Sequence, residues 1–232
     1  MAVLGAIDML VVTEDAELLA GVNDYPMVGV ALIPARVFMA SAGHGHFAAV
    51  SEEGDVFSWG ENNHGQLGVG AAVRMEEYPA THSPQTVFGN MPIVQVALGM
   101  DHSLALSVDG TVYSAGWGRE GKLGHGDHAD VRFFTRVAAL AAVRVVFVAA
   151  GMRMSAMIGD GDVFTCGHGP NGELGFGDNR DDKLVPTRLP AFGVAPTVLV
   201  SAGRHVMAVQ ADGAWGQNRF GQLGLGDVED RA

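Results

Sequence analysis

Two stretches of the chain have the residue types and spacing of nucleotide-binding loops. Gly116-Trp-Gly-Arg-Glu-Gly121 fits the pattern G-x-G-x-x-G, and with Lys122 it comes close to a phosphate-binding loop. Such a loop needs Ser or Thr after the lysine to ligate magnesium, and a helix whose N-terminus faces the phosphate. Leu123 stands there instead, and Gly167-His-Gly-Pro-Asn-Gly172 makes the same match further along the chain. The spacing therefore comes from an internal repeat, and we expect no cofactor.

Histidines occupy one repeated position, and others lie near acidic residues. For the repeated histidines, His46, His102 and His205, the interpretation is a ring that hydrogen-bonds a turn within its own repeat. Two further groups have the spacing of metal ligands, but neighbouring glycines would hold such ligands loosely, so we expect no metal site. The two groups are His44, His46 and His64, and His125, Asp127 and His128.

Serine and tryptophan give no catalytic constellation. Ser41, Ser103 and Ser155 lie near predicted strand openings, where packing or turn formation explains them, and no Gly-x-Ser-x-Gly elbow is present. The sequence therefore predicts a protein that is not an enzyme. The tryptophans, interpreted as packing between repeats, are Trp59, Trp117 and Trp215.

Composition argues against two classes of partner. The 14 Lys and Arg against 26 Asp and Glu give a formal charge of −12, which repels phosphate backbones and anionic lipids. We expect no direct nucleic-acid contact and no membrane binding. The single cysteine, Cys166, requires no oxidising compartment, and Met1 to Val12 lacks the basic start of a signal peptide. The prediction is a soluble intracellular protein, cytoplasmic or nuclear.

A glycine-rich segment, Gly-x-Leu-Gly-x-Gly, occurs four times, and its first glycines are 56, 51 and 49 residues apart. This period is typical of propeller blades. Another glycine stands five residues before each copy, and an acidic-Gly pair such as Asp109-Gly110 comes earlier, which is a strong hairpin signal. The structural glycines of the four copies are Gly60, Gly65, Gly68 and Gly70; Gly116, Gly121, Gly124 and Gly126; Gly167, Gly172, Gly175 and Gly177; and Gly216, Gly221, Gly224 and Gly226.

These columns divide the chain into consecutive units. We expect the leucine of each loop, Leu67, Leu123, Leu174 and Leu223, to plug that loop into the core. The predicted units are a degenerate N-terminal half-repeat at 1–36, repeats at 37–92, 93–144 and 145–197, and a truncated fourth repeat at 198–232.

Together the columns resemble the regulator of chromosome condensation repeat family. The best matches are Ala97-Leu-Gly-Met-Asp-His-Ser-Leu-Ala-Leu106 and Gln217-Asn-Arg-Phe-Gly-Gln-Leu-Gly-Leu-Gly-Asp227. The resemblance implies an all-β protein, a β-propeller of which about four to five blades are present and which is incomplete or open. It departs from the family pattern at Met154, where the histidine is missing, and it lacks the Gly-Trp-Arg-His-Thr context of the photoreceptor members.

The leading functional hypothesis is a protein-interaction scaffold that recognises a protein partner through its blade loops. The residue before the histidine column varies while its neighbours stay constant, and its variants Asp101, Arg153 and Arg204 are the candidate partner-binding residues. The resemblance also implies two alternatives: a guanine-nucleotide exchange factor for a Ran-type small GTPase, and a recognition fragment of a larger ubiquitin ligase or kinase. Open blade edges would permit self-association.

Overall fold

The computed structural model describes two kinds of segment. Side chains are described at residue 33 and in 35–70, 88–177 and 179–190. Elsewhere it gives only the backbone of short strands, so the candidate Arg204 and the four glycines of the last copy lie outside the described residues. Within the described part, no helix combines the length and apolar character needed to cross a membrane.

In the part of the chain whose backbone is described, nineteen strands pair with their sequence neighbours into five antiparallel sheets. Sheets 1 to 4 have four strands each, and sheet 5 as described has three. In sheet 1 the strands are β1 (Ala2–Leu4), β2 (Met9–Val12), β3 (Leu18–Gly21) and β4 (Val28–Val30); in sheet 2, β5 (Val37–Ala42), β6 (His46–Ser51), β7 (Val56–Gly60) and β8 (Thr81–Ser83); in sheet 3, β9 (Ile93–Leu98), β10 (His102–Ser107), β11 (Val112–Gly116) and β12 (Val131–Arg136); in sheet 4, β13 (Val145–Ala150), β14 (Met154–Gly159), β15 (Asp162–Gly167) and β16 (Lys183–Arg188); in sheet 5, β17 (Leu199–Ala202), β18 (Val206–Gln210) and β19 (Gly213–Trp215).

The sheets are arranged as propeller blades. The first strands of successive sheets contact one another, whereas the fourth strand β12 is largely exposed and the fourth strand β16 is partly exposed. The second strands β6, β10 and β14 are buried along their whole length. The prediction of an all-β, partial propeller with four to five blades is confirmed. The segment 1–36, predicted as a half-repeat, contains the four strands of sheet 1.

The hydrophobic core lies between facing sheets. One cluster joins Val50 and Val56 of sheet 2 to Val96 and Ala105 of sheet 3. A second cluster joins Leu104 of sheet 3 to residues of sheet 4 that include Met157 and Cys166. A third described cluster, which includes Met154, Ile158 and Leu174, is formed by sheet 4 and its own glycine-rich loop.

Each first strand of sheets 2, 3 and 4 contains a β-bulge at the same position. The pairing with the second strand skips Phe38, Val94 and Val146 in turn. These three apolar side chains are exposed at 49%, 39% and 62%, as expected when a bulge turns a side chain out of the sheet.

The glycine-rich loops of sheets 2 and 3 each lie on the fourth strand of the next sheet. Gly70 N donates to Arg132 O at 2.9 Å, and Phe134 N donates to Gly68 O at 3.3 Å. One repeat later, Gly126 N donates to Leu184 O at 2.9 Å. The glycines are needed because the backbones approach so closely: a Cβ on Gly65 would lie 2.5 Å from the Cα of Arg132.

Each loop is also anchored in its own sheet. A hydroxyl on the third strand donates to the carbonyl of the loop leucine: Ser58 to Leu67 at 2.9 Å, Ser114 to Leu123 at 2.7 Å, and Thr165 to Leu174 at 2.9 Å. All three leucines are buried, as predicted, and Leu223 lies outside the described residues.

We expect Gly68→Ala to lower the free energy of unfolding more than Gly161→Ala does. Both glycines have positive φ, at 69° and 85°, so alanine costs about 1–2 kcal/mol at either position. Only at Gly68 would the new Cβ overlap the ring of Phe134, whereas nothing lies within 4 Å of it at Gly161, and this overlap adds about 1–3 kcal/mol. Urea unfolding of the two variants measures the difference. Equal losses in the free energy of unfolding would mean that the loop does not pack against the next sheet at Phe134.

Candidate partner-binding face

One end of the strands carries two kinds of loop in each sheet. In sheet 3 the pairs His102 with Gly116 and Ser103 with Leu98 bring the end of β9, the start of β10 and the end of β11 together. The short connection after the first strand and the glycine-rich loop after the third strand therefore emerge on the same side. We call this side the loop face; its described segments are 43–45, 61–70, 99–101, 117–130, 151–153, 168–177 and 179–182.

Beneath the loop face, a hydrogen-bond chain crosses from each sheet to the next. His46 Nε2 of sheet 2 lies 3.1 Å from Ser103 Oγ of sheet 3, and that hydroxyl donates back to Gln66 O of sheet 2 at 2.6 Å. Because the serine proton goes to the carbonyl, the histidine must donate from Nε2. The sequence predicted a bond within one repeat and a local role for serine; the Nε2 contact instead joins two blades.

The chain recurs one sheet later with the same residue types. His102 Nε2 lies 2.9 Å from Ser155 Oγ, which donates to Lys122 O at 2.7 Å. In the following step the histidine position holds Met154, and the sequence has Val206 where the serine would stand. Both polar partners are thus replaced together.

Burial keeps these histidines uncharged. It lowers the pKa of His46 to about 4. It also holds the pKa of His102 well below its ordinary value, with a smaller contribution from the charge of Lys122. The rings therefore serve as neutral hydrogen-bond donors between blades.

The second residue of the glycine-rich loop has a different chemistry in each sheet. In sheet 2 it is Gln66, whose Oε1 accepts from His64 N at 3.0 Å. In sheet 3 it is Lys122, and in sheet 4 it is Glu173, which is paired with the ring of His168 and accepts from Asn171 N at 2.7 Å. The scaffold is constant, but the polar group it carries is not.

Lys122 is buried beneath the loop that joins β11 to β12 on the loop face. Its Nζ is 4.3 Å from the centre of the Trp117 ring and donates to Arg119 O at 3.3 Å. Burial lowers the pKa of Lys122 to about 8, while Glu120 and Asp101 act in the opposite direction. The lysine therefore remains mostly charged at neutral pH, as a cation–π contact requires.

Trp117 also contacts the loop of the neighbouring sheet. The ring of His64 stacks on it with centroids 5.0 Å apart, and His64 Nδ1 lies 3.0 Å from Asp130 Oδ2. The guanidinium of Arg119 lies 5.7 Å from the Trp117 ring and its side chain is 65% exposed. We call these residues the Trp117 cluster: His64, Trp117, Arg119, Lys122 and Asp130.

The two described candidates lie beside this cluster. Asp101 O accepts from Trp117 N at 2.8 Å. Arg153 Nε donates to Glu120 Oε2 at 2.9 Å, and a second bond joins its Nη2 to Oε1, so this arginine links sheet 4 to the loop of sheet 3. Its side chain is still 46% exposed, against 9% for Glu120.

Sequence reasoning assigned Trp117 to packing between repeats, as it did Trp59. Trp117 does pack against the neighbouring repeat, through His64, but it lies half-buried on the loop face. Trp59 is buried and stacks on Phe47 of its own sheet. The available signal was the column that reads Glu61, Trp117 and His168, which varies as much as the column before the histidines.

The remaining motifs with possible chemical roles occupy structural positions in the loops and the core. The nucleotide-binding look-alike around Lys122 forms this loop, with a single 3-10 turn at Arg119–Gly121. His125 Nε2 lies 2.9 Å from Ser114 Oγ, and the described residues contain no group of three His, Cys, Asp or Glu placed to hold a metal. Burial raises the pKa of Cys166 to about 12, which makes its thiol unreactive.

The model of the regulator of chromosome condensation (RCC1) repeat matches residues 53–106, 109–158 and 160–209, and a second model of this repeat matches 93–122. The chain belongs to the regulator of chromosome condensation repeat family. Each matched repeat begins near a hairpin of one sheet and ends in the second strand of the next, or near it. The sequence repeat of the family is therefore out of phase with the blades.

Three known proteins illustrate the likeness. The chain is 39% identical over 204 residues to the Ultraviolet-B receptor UVR8 of Arabidopsis thaliana, covering 85% of this chain and 45% of that protein. It is 36% identical over 198 residues to the probable E3 ubiquitin-protein ligase HERC3 of Homo sapiens, covering 82% and 18%. The crystal structure of Prp20p from Saccharomyces cerevisiae, which has been described with its binding to Gsp1p and histones, superposes with a TM-score of 0.75 at 24% identity, covering 90% of this chain and 55% of that one. The chain spans less than half the length of both sequence relatives.

We expect acid to destabilise the wild-type protein more than a His46→Met variant. The pKa of His46 is about 4 in the folded state against 6.5 when unfolded, so this group stabilises the fold above pH 6.5 and loses its contribution as the pH falls. By pH 4 the loss is about 3 kcal/mol. Methionine occupies the equivalent position at Met154 and binds no proton. Urea unfolding at pH 7 and pH 4 measures the difference in the free energy of unfolding between the two proteins. Between these pH values the difference should shift by this amount in favour of the variant. An unchanged difference contradicts the buried, neutral state of His46.

Proposed function

We propose that the chain is a non-enzymatic protein-recognition module that binds a protein partner through its loop face. The observation that carries the proposal is the contrast between a constant framework and variable side chains. The glycines, loop leucines and third-strand hydroxyls repeat from sheet to sheet, whereas three loop positions change their chemistry. Those positions are Gly45, Asp101 and Arg153; Glu61, Trp117 and His168; and Gln66, Lys122 and Glu173.

The Trp117 cluster has the composition of an interaction hot spot. Tryptophan and arginine are enriched among residues that dominate binding energy, especially where a rigid surround positions them. Lys122 and His64 both contact the Trp117 ring, and Asp130 lies within hydrogen-bond distance of His64. Arg119 and Arg153 both contact the carboxylate of the buried Glu120, but 65% and 46% of their side chains are exposed, so part of each guanidinium is accessible to a partner.

Charge reversal tests which surface binds. We expect Arg119→Glu to reduce capture of specific partners at least about tenfold in a quantitative pull-down, because a hot-spot arginine contributes at least about 1.4 kcal/mol. Arg36→Glu is the matched control: Arg36 is 82% exposed, makes only a 3.9 Å contact with Glu52 and lies at the opposite end of the strands. Arg153→Glu is a second loop-face variant. Undiminished capture by both loop-face variants, or equal loss with Arg36→Glu, refutes the proposal.

A second candidate function is guanine-nucleotide exchange on a Ran-type small GTPase. It is favoured by the likeness of the fold to Prp20p, which binds Gsp1p. That likeness is at 24% identity and concerns the fold, so the activity remains the weaker proposal.

Release of a fluorescent guanine nucleotide from such a GTPase discriminates between the two functions. We expect no acceleration when the chain is added, because recognition without exchange leaves the nucleotide rate unchanged. Acceleration that disappears in Arg119→Glu would instead establish exchange from the loop face.

The module is also consistent with a place in a longer protein such as a ubiquitin ligase or kinase, since its match covers 18% of HERC3. In that setting its role would still be recognition. We expect it to act in the cytoplasm or nucleus, and we do not propose photoreception.

A further inference from the structure

A cleft lies at the opposite end of the strands, between sheets 3 and 4. It encloses about 340 Å³ between the turn that joins β10 to β11 and the segment that joins β12 to β13. Two backbone hydrogen bonds tie that segment down at its ends, from Val137 N to Val112 O at 2.9 Å and from Val145 N to Gly110 O at 3.2 Å. We call this the hairpin cleft; its lining includes Asp109, Thr111, Arg136, Leu140, Val143 and Arg144.

Arg136 lacks the carboxylate that its counterpart in the next blade has. Arg136 pairs in register with Tyr113, as Arg188 pairs with Phe164. Arg188 binds Asp162 through two contacts of 2.6 and 2.8 Å, and the residue equivalent to Asp162 in sheet 3 is Thr111. Among the described residues, the Arg136 guanidinium has no hydrogen bond or ion pair.

Arg144 is the second arginine in the lining. It stands immediately before the first strand of sheet 4, as Arg36 does before that of sheet 2. Arg36 contacts Glu52 of its own sheet at 3.9 Å, whereas among the described residues no ion pair joins Arg144 to Asp160, which occupies the position equivalent to Glu52 in sheet 4. Within the described part of the chain, the Arg144 guanidinium likewise has no acidic partner. Two unpaired arginines therefore line one cavity.

The balance of charge in the hairpin cleft favours an anion. Asp109 is the one acidic residue in the lining, and its carboxylate already accepts from Ser107 Oγ at 2.5 Å and Thr111 N at 3.1 Å. The bond from Ser107 lowers the pKa of Asp109, so this group stays ionised and leaves a net charge of about one positive unit in the cleft.

The rest of the lining is apolar. Val112, Val137 and Leu140 are almost fully buried at the base of the cleft. A cavity of this size accommodates one or two side chains, with a carboxylate held by planar guanidinium groups and an apolar neighbour against the exposed Ala141 and Ala142.

We propose that the hairpin cleft binds an acidic peptide segment, in which a carboxylate pairs with Arg136 and Arg144 while an adjacent apolar side chain packs on the exposed Ala141 and Ala142. The ligand supplies to Arg136 the negative charge that Asp162 supplies to Arg188 in the next blade. This site lies at the other end of the strands from the loop face and does not depend on the function proposed for that face.

Thr111→Asp tests the proposal by restoring the carboxylate that the neighbouring blade has. The probe is acetyl-Leu-Glu-Leu-amide, added to the full chain while the side-chain Nε–H signals of Arg136 and Arg144 and the amide of Gly110 are followed by NMR. We expect saturable shifts that weaken at least about tenfold in Thr111→Asp, because the new carboxylate occupies the guanidinium groups. Asp55 and Asp162 show that other blades accept aspartate at this position.

Three controls give each outcome a meaning. Thr135→Asp adds the same charge on the neighbouring exposed strand β12 and should change the affinity less than about twofold, since exposed charges are screened. Acetyl-Leu-Gln-Leu-amide should not bind. Equal binding of the glutamine peptide, unchanged binding to Thr111→Asp or the absence of saturable shifts overturns the proposal. Inorganic phosphate that shifts these signals when the glutamate peptide does not would also overturn it, in favour of a phosphate site.

Discussion

The carbonyl groups of the glycine-rich loops carry the strongest structural constraint in this chain. Gln66 O and Lys122 O are buried, and each must be satisfied by a donor. The donor comes from the next sheet, and the serine that supplies it is in turn held by the histidine of the first sheet. The next blade therefore completes the hydrogen bonding of these two loops, so one hydrogen-bond chain joins the local turn to the blade-to-blade geometry.

This dependence explains what the sequence could and could not predict. The glycine columns, the Asp-Gly hairpins and the loop leucines are local signals, and they predicted the strands and the propeller class correctly. The partner of His46 is 57 residues away in the next sheet, and no local pattern contains it. In sequence the clue was a covariation inside the chain: histidine is followed one repeat later by serine, and Met154 by Val206.

The candidate site shows the same limit. Asp101 and Arg153 were proposed from variation at one column, and the structure places both beside the Trp117 cluster. The contribution of Trp117 to the loop face was missed because an aromatic residue in a glycine-rich repeat is usually assigned to the core. Its contact with His64 comes from another sheet and is not visible in the local sequence. Residue type alone does not show which of Arg136 and Arg188 has a carboxylate partner. Only the register of their strands reveals that one has a carboxylate partner and the other does not.

The replacement of His and Ser by Met154 and Val206 makes the interfaces between sheets inequivalent. An array of this kind behaves as a nearest-neighbour chain, in which cooperativity is transmitted only as far as each interface is strong. Sheets 2, 3 and 4 share the directional hydrogen-bond chain, whereas the step from sheet 4 to sheet 5 lacks its residues. Coupling through this directional chain is therefore confined to sheets 2 to 4, and the step from sheet 4 to sheet 5 must be held by packing and backbone contacts.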